Sequence, residues 1–162
     1  MKIIQYIVAI LFIIFLASPG FANSTKCQEI AQREYPDNPQ MQNYVYKTQI
    51  AAARYMAAAA DEDVKNIALR EYPEDFAMQK YVYDNQSSAK RYMKTTVDQN
   101  VKAIALRQYP HDYSMQKYVY DNQLSAKQYM AAMPQNTAKQ KALRQYPGDY
   151  AMQKYIYDSL AP

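Results

Sequence analysis

The sequence predicts an all-α protein, a short helical-repeat array of α-solenoid type with four repeats of 37 residues, each a short helix plus a longer one. Three observations carry this. Tyr-Pro recurs at Tyr35-Pro36, Tyr72-Pro73, Tyr109-Pro110 and Tyr146-Pro147, always 37 residues apart, and a fixed period of that size is the signature of a repeat array. The chain holds only two glycines in 162 residues and is rich in Ala, Gln, Lys, Met and Leu, which favour helix. Apolar residues keep helical spacing, as at Val64, Ile67, Ala68 and Tyr72, which stand at i, i+3, i+4 and i+8.

The first segment reads as a cleaved secretory signal peptide over residues 1–22. Lys2 supplies the positive start, residues 3–17 form the apolar run, and Pro19-Gly20 are expected to break the helix. Gly20 and Ala22 place small residues at −3 and −1 of a cut before Asn23. A membrane anchor is disfavoured, because a spanning helix needs about 20 apolar residues. The mature chain, 23–162, is expected to be one helical-repeat domain of a periplasmic or secreted bacterial protein without a transmembrane helix. Its repeats lie near 24–60, 61–97, 98–134 and 135–162.

Within each repeat the short helix ends at Tyr-Pro, since the residue before proline is pushed out of the α region. Asn38, Asp75, Asp112 and Asp149 then stand at equivalent places and suit N-caps, and Pro39 suits the first helical position. The longer helix therefore begins at Pro39, Phe76, Tyr113 and Tyr150. It runs about five turns, to near Met56, Met93 and Met130. Variable links follow ("AAAAD", "KTTVD", "AAMPQ"), with Pro134 marking a break; the Ala-rich first link is open to remaining helical. The last long helix, "GDYAMQKYIYDSLAP", is truncated, and the two ends of the array are expected to act as caps.

At about 100° per residue, Met78, Tyr81, Val82, Asn85, Gln86, Ala89, Tyr92 and Met93 are expected on one side of the longer helix. Phe76 and Tyr83 point away from them. A helix apolar on two sides suits a solenoid, with one side on its hairpin partner and the other on the next repeat. The period is near that of tetratricopeptide and Sel1-like repeats. The residues depart from both, since the Trp-Leu-Gly-Tyr pattern of the first and the interhelical glycines of the second are missing.

Most reactive chemistry finds no motif here. His111, the single histidine, sits in the variable loop between Tyr-Pro and the cap, where other repeats have Asp37, Glu74 and Gly148. HExxH, GxSxG, clustered Cys/His and glycine-rich phosphate loops do not occur, so no metal, cofactor or catalytic residue is assigned. The recurring carboxylates are cap residues (Asp75, Asp112, Asp149) and mid-helix residues (Asp84, Asp121, Asp158) with lysines one turn away. A glycosidase built on them is the least favoured reading. From Asn23 onward 18 basic residues face 15 acidic ones, interspersed, which gives no reason to expect nucleic acid. Cys27, the only cysteine, falls in register with Val64, Val101 and Ala138. That favours a buried thiol over an intermolecular disulfide.

The expected function is a binding or interaction scaffold without catalysis, with a protein or envelope polysaccharide as partner; self-association as a structural envelope protein is the alternative. Tyr46, Tyr83, Tyr120 and Tyr157 recur once per repeat and form the candidate interaction surface together with Gln49, Gln86 and Gln123. Exposed, these tyrosines would make a ladder for stacking on sugars or a partner's surface. Covered, they would be mortar between repeats. The glutamines border the apolar side and, if buried, must satisfy their amides on the adjacent repeat. Arg33, Arg70, Arg107 and Arg144 close the short helices, where they suit the helix dipole and are expected to clamp the cap aspartates.

Overall fold

A computed structural model describes the chain from Pro19 to Leu160, with side chains from Asn23 onward. The apolar run 3–17 lies outside the described residues; Pro19 and Gly20 stand in the first turn of a helix. Eight helices and no strand occur among the described residues. They are α1 (Pro19–Glu34), α2 (Pro39–Ala58), α3 (Glu62–Glu71), α4 (Phe76–Thr95), α5 (Gln99–Gln108), α6 (Tyr113–Ala132), α7 (Thr137–Gln145) and α8 (Tyr150–Leu160). The array is all-α, with short and long helices alternating as the sequence period requires. The chain divides into two compact units, Met1–Tyr83 and Asp84–Pro162, with the division inside α4. In the first unit α1 packs on α2; in the second, α5 packs on α6, α7 on α8, and α6 on α8.

The predicted boundaries are set by local chemistry. Tyr72 and Tyr109 leave the α region at φ −133°, ψ 72° and φ −134°, ψ 72°, as a residue ahead of proline must. Their backbone N–H groups still donate to Ala68 and Ala105 at 3.0 Å, closing the short helices. Each long helix opens on its cap side chain. Asn38 Oδ1 accepts from the Met41 N–H at 3.1 Å, and Asp75, Asp112 and Asp149 do the same for Met78, Met115 and Met152 at 3.0, 3.0 and 3.1 Å. The Ala-rich link does not stay helical. α2 stops at Ala58, Ala59 turns extended at φ −64°, ψ 124°, and Asp61 caps α3. Asp98 and Asn136 cap α5 and α7 in the same way.

The short helices bury Cys27, Ile30 and Ala31, then Val64, Ile67 and Ala68, then Val101, Ile104 and Ala105, and finally Ala142. The long helices meet them with Val45, Ala52 and Met56, and with their counterparts Val82, Ala89, Met93 and Val119, Ala126, Met130. The expected core face needs one correction. Tyr81, Asn85 and Tyr92 are exposed, and with Ser88 they form a solvent stripe at i, i+4, i+7 and i+11. The two apolar sides of α4 merge into one arc centred on Val82, Gln86, Ala89 and Met93. Tyrosine counts as apolar in a periodicity argument, but its hydroxyl lets it stand in water.

Cys27 is fully buried, 0 % exposed, at the position that Val64 and Val101 fill in later repeats. Burial pushes its thiol above the ordinary range, so both access and thiolate formation are suppressed. The intermolecular disulfide is therefore set aside. A thiol reagent should modify Cys27 only under unfolding conditions, which mass spectrometry along a urea series would check.

Candidate functional site

The residues expected to form an interaction surface turn out to hold the repeats together. Gln49, Gln86 and Gln123 are buried, each one reaching the start of the next long helix. The Gln49 Nε2 donates to Asp75 Oδ1 at 2.9 Å while its Oε1 accepts the Ala77 N–H at 3.1 Å. Gln86 makes the same pair with Asp112 (2.9 Å) and Ser114 (3.1 Å). Gln123 makes it with Asp149 (2.9 Å) and Ala151 (3.2 Å), and also accepts from Tyr150 at 2.8 Å. The amide thus finds its partners on the adjacent repeat, at a helix N-terminus, where N–H groups lack acceptors.

Tyr120 and Tyr157 are 2 % and 6 % exposed, and Tyr46 and Tyr83 are half-buried. They are mortar, not a solvent-facing ladder. The Asp61 N–H donates to the Tyr83 hydroxyl at 3.2 Å and the Asp98 N–H to that of Tyr120 at 3.3 Å. Tyr46 shares a hydrogen bond with Ser24 at 3.0 Å. The rings of Tyr83, Tyr120 and Tyr157 also meet a tyrosine of the preceding repeat edge-on: Tyr55–Tyr83, Tyr92–Tyr120 and Tyr129–Tyr157, with centroids 6.0–6.3 Å apart. A second glutamine series escaped sequence reasoning. Gln42, Gln79, Gln116 and Gln153 donate to the carbonyls of Tyr35, Tyr72, Tyr109 and Tyr146 at 2.6–2.7 Å, tying Tyr-Pro to the long helix.

Charged groups complete the junctions. Lys117 lies 4.5 Å over the Tyr92 ring, and its ammonium meets Asp121 at 2.6 Å. Asp121 in turn accepts the Tyr92 hydroxyl at 2.5 Å. Lys154, Tyr129 and Asp158 repeat the arrangement. Asp121 and Asp158 thus pair with lysines one turn away, as their spacing suggested. The Tyr92 hydroxyl, hydrogen-bonded to a carboxylate, has its pKa pushed up to about 12, and Asp158 is held below the usual carboxylate range by Lys154 and Tyr129. Asp98 is depressed too, by Lys127 at 2.6 Å.

The arginine clamp is not formed. Arg33, Arg70, Arg107 and Arg144 are exposed and make no hydrogen bond or ion pair among the described residues. The cap carboxylates are taken by glutamine and backbone N–H groups instead. One further series has no constructional duty. Tyr44, Tyr81, Tyr118 and Tyr155 occupy the same long-helix position in all four repeats and are 65, 62, 62 and 66 % exposed. Their recurrence in the divergent first repeat was the signal available in the sequence. In the first unit Tyr44 and Tyr55 wall an open groove of about 560 Å³ between α2 and α4, floored by Ala51, Ala52 and Ala77 and flanked by Lys47 and Lys80.

Comparison with known proteins adds no relative: no family model matches the chain, and neither a curated protein nor a solved structure is significantly similar to it.

Two outcomes test the junction geometry. Gln86→Ala and Gln123→Ala should each cost about 1–3 kcal/mol, because a buried N–H and carboxylate lose their partner; urea unfolding reads this directly. For Tyr92, the raised pKa favours the neutral hydroxyl in the folded chain. Its stabilisation is complete below about pH 10 and fades as pH rises to about 12. Tyr92→Phe should lower stability at neutral pH and remove that part of the alkaline loss.

Proposed function

We propose that this chain is a secreted or periplasmic scaffold, without catalysis of its own, that binds a macromolecular partner through the outward faces of its long helices. The observation that carries the reading is the exposed tyrosine series. Most four-fold recurrences in this sequence serve the array: the buried Ala31 series, the Tyr-Pro turn, the Gln42 lock and the Tyr46 mortar. Tyr44, Tyr81, Tyr118 and Tyr155 serve none of these purposes, yet recur in every repeat. Tyrosine suits recognition because it offers a large rigid face and a hydroxyl at low entropic cost.

Neighbouring side chains fit this role. Asn85 and Ser88 follow Tyr81 on α4, and Asn122 and Ser125 follow Tyr118 on α6, all exposed. These short polar groups leave the tyrosine rings accessible and can hydrogen-bond a ligand. Catalysis is left out because the recurring carboxylates have structural partners: the cap series holds helix starts, and Asp121 and Asp158 are bound by lysine and tyrosine. The secretory assignment rests on the first 22 residues of the sequence.

The test is site-specific photo-cross-linking in the producing cell, with the photoreactive residue at Tyr81 or Tyr118 and, as control, at exposed Glu62. A discrete adduct from the two tyrosine positions and none from Glu62 is expected. Cross-linking equal at all three positions, or absent from all, would defeat the proposal. Exposed substitutions typically stay within about 0.5 kcal/mol. A Y44S/Y81S/Y118S/Y155S variant should therefore keep its helical circular dichroism while losing the partner.

A further inference from the structure

The two compact units differ sharply in charge. From Asn23 to Tyr83 there are seven basic and nine acidic residues; from Asp84 to Pro162 there are eleven basic and six acidic. The near-neutral balance of the whole chain hides this contrast. In the second unit the acids are already engaged internally. Asp98, Asp121 and Asp158 pair with Lys127, Lys117 and Lys154 at 2.6 Å. Asp112 and Asp149 bind Gln86 and Gln123, and Asp84 is engaged as well. Five of the cations, Arg91, Lys94, Arg107, Lys141 and Arg144, are exposed and form no ion pair among the described residues; the first unit has four such cations, Arg33, Lys47, Arg54 and Arg70, but nine acids to offset them instead of six. Lys141 is especially informative. It occupies the place of Ile67 and Ile104, both buried, and its ammonium stands in solvent.

We infer that the second unit, residues 84–162, binds an acidic polysaccharide. This rests on the reading of the chain as a binding scaffold, but on a different set of residues. A body on which cations outnumber acids eleven to six, where the other has seven to nine, attracts a polyanion and releases its counterions on binding. The same unit exposes Tyr118 and Tyr155, whose rings can lie against sugar faces, with Asn122, Ser125 and Ser159 nearby in sequence as hydroxyl partners. A lipid surface fits less well. The exposed leucines beside Arg107 and Arg144 stand singly, at 42 and 41 % exposure, and scattered apolar residues are ordinary surface. A carboxylated glycan uses both features, charge for the cations and rings for the tyrosines.

The experiment measures binding of the full chain to polygalacturonate, with dextran as neutral polymer, polyacrylate as ringless polyanion, and single-stranded DNA and anionic phosphatidylglycerol vesicles as other polyanions. Polygalacturonate should bind and dextran should not, and affinity should fall about tenfold or more between low and moderate salt. R107E/R144E should weaken binding by about tenfold, while R33E/R70E, the same charge change at the same repeat positions in the first unit, should change it by less than about twofold. Y118S/Y155S should weaken polygalacturonate binding and leave polyacrylate binding unchanged. Circular dichroism confirms that each variant remains helical. The inference is overturned if polygalacturonate binds no better than dextran, if both arginine pairs matter equally, if tyrosine loss affects both polyanions alike, or if DNA or vesicles bind more tightly. Photo-cross-linking at Tyr81 and Tyr118 that succeeds while polygalacturonate fails would leave the scaffold reading intact and remove the glycan.

Discussion

The start of a helix carries N–H groups that the helix cannot satisfy by itself, and this chain meets that need from the neighbouring repeat. The cap aspartate supplies one acceptor. The preceding long helix supplies a glutamine whose amide donates to the cap and accepts from the second N–H, as Gln86 does with Asp112 and Ser114. A single side chain therefore completes one helix while fixing the position of another. The tyrosine pairs and the Lys–Asp–Tyr clusters surround this bridge with further directional contacts. Their geometry depends on the helices having met in the register that the amide sets. Burying a glutamine is costly unless both ends of its amide are used. That cost makes alternative registers unfavourable.

Much of this architecture was readable without coordinates, because it is written in residues with narrow conformational tastes. Tyr72-Pro73 forces an exit from the α region, Asp75 announces an N-cap, and the comparison of four repeats aligns these signals. The faces were less legible. Tyr81 and Tyr83 are the same residue type two positions apart, and one stands in water while the other contacts Asp61 and Tyr55. Hydrophobicity cannot separate them, since what distinguishes them is which neighbouring helix lies beside the ring. Arg70 was misread for a related reason. The carboxylate it was expected to reach was already claimed by a backbone N–H and by Gln49. Competition for one acceptor is invisible when residues are considered singly.

The repeats also separate construction from recognition more cleanly than a non-repeating sequence does. A residue that faces the preceding repeat changes where the first repeat begins the series: Phe76, Tyr113 and Tyr150 become Pro39, and Lys80, Lys117 and Lys154 become Asn43. Tyr150 packs on the core of the repeat before it, whereas Pro39 is exposed. Positions released from such a duty drift. Tyr44 has been kept through the same divergence although it sits in solvent. The proposed placement of function on the outward faces rests on that persistence.

The cap-and-amide bridge is nearly identical at the three junctions, with Gln Nε2 to Asp Oδ1 at 2.9 Å in each. Such interchangeability gives the gene an unusual freedom. A block of 37 codons copied in frame arrives with both halves of its own joint, so that duplication or loss of a whole block preserves compatible seams. A shift by any other length would misalign amide and carboxylate at once. The chain is therefore tolerant of evolution in whole steps and brittle toward fractional ones, which is a reason for near-identical neighbouring repeats to persist in a single sequence.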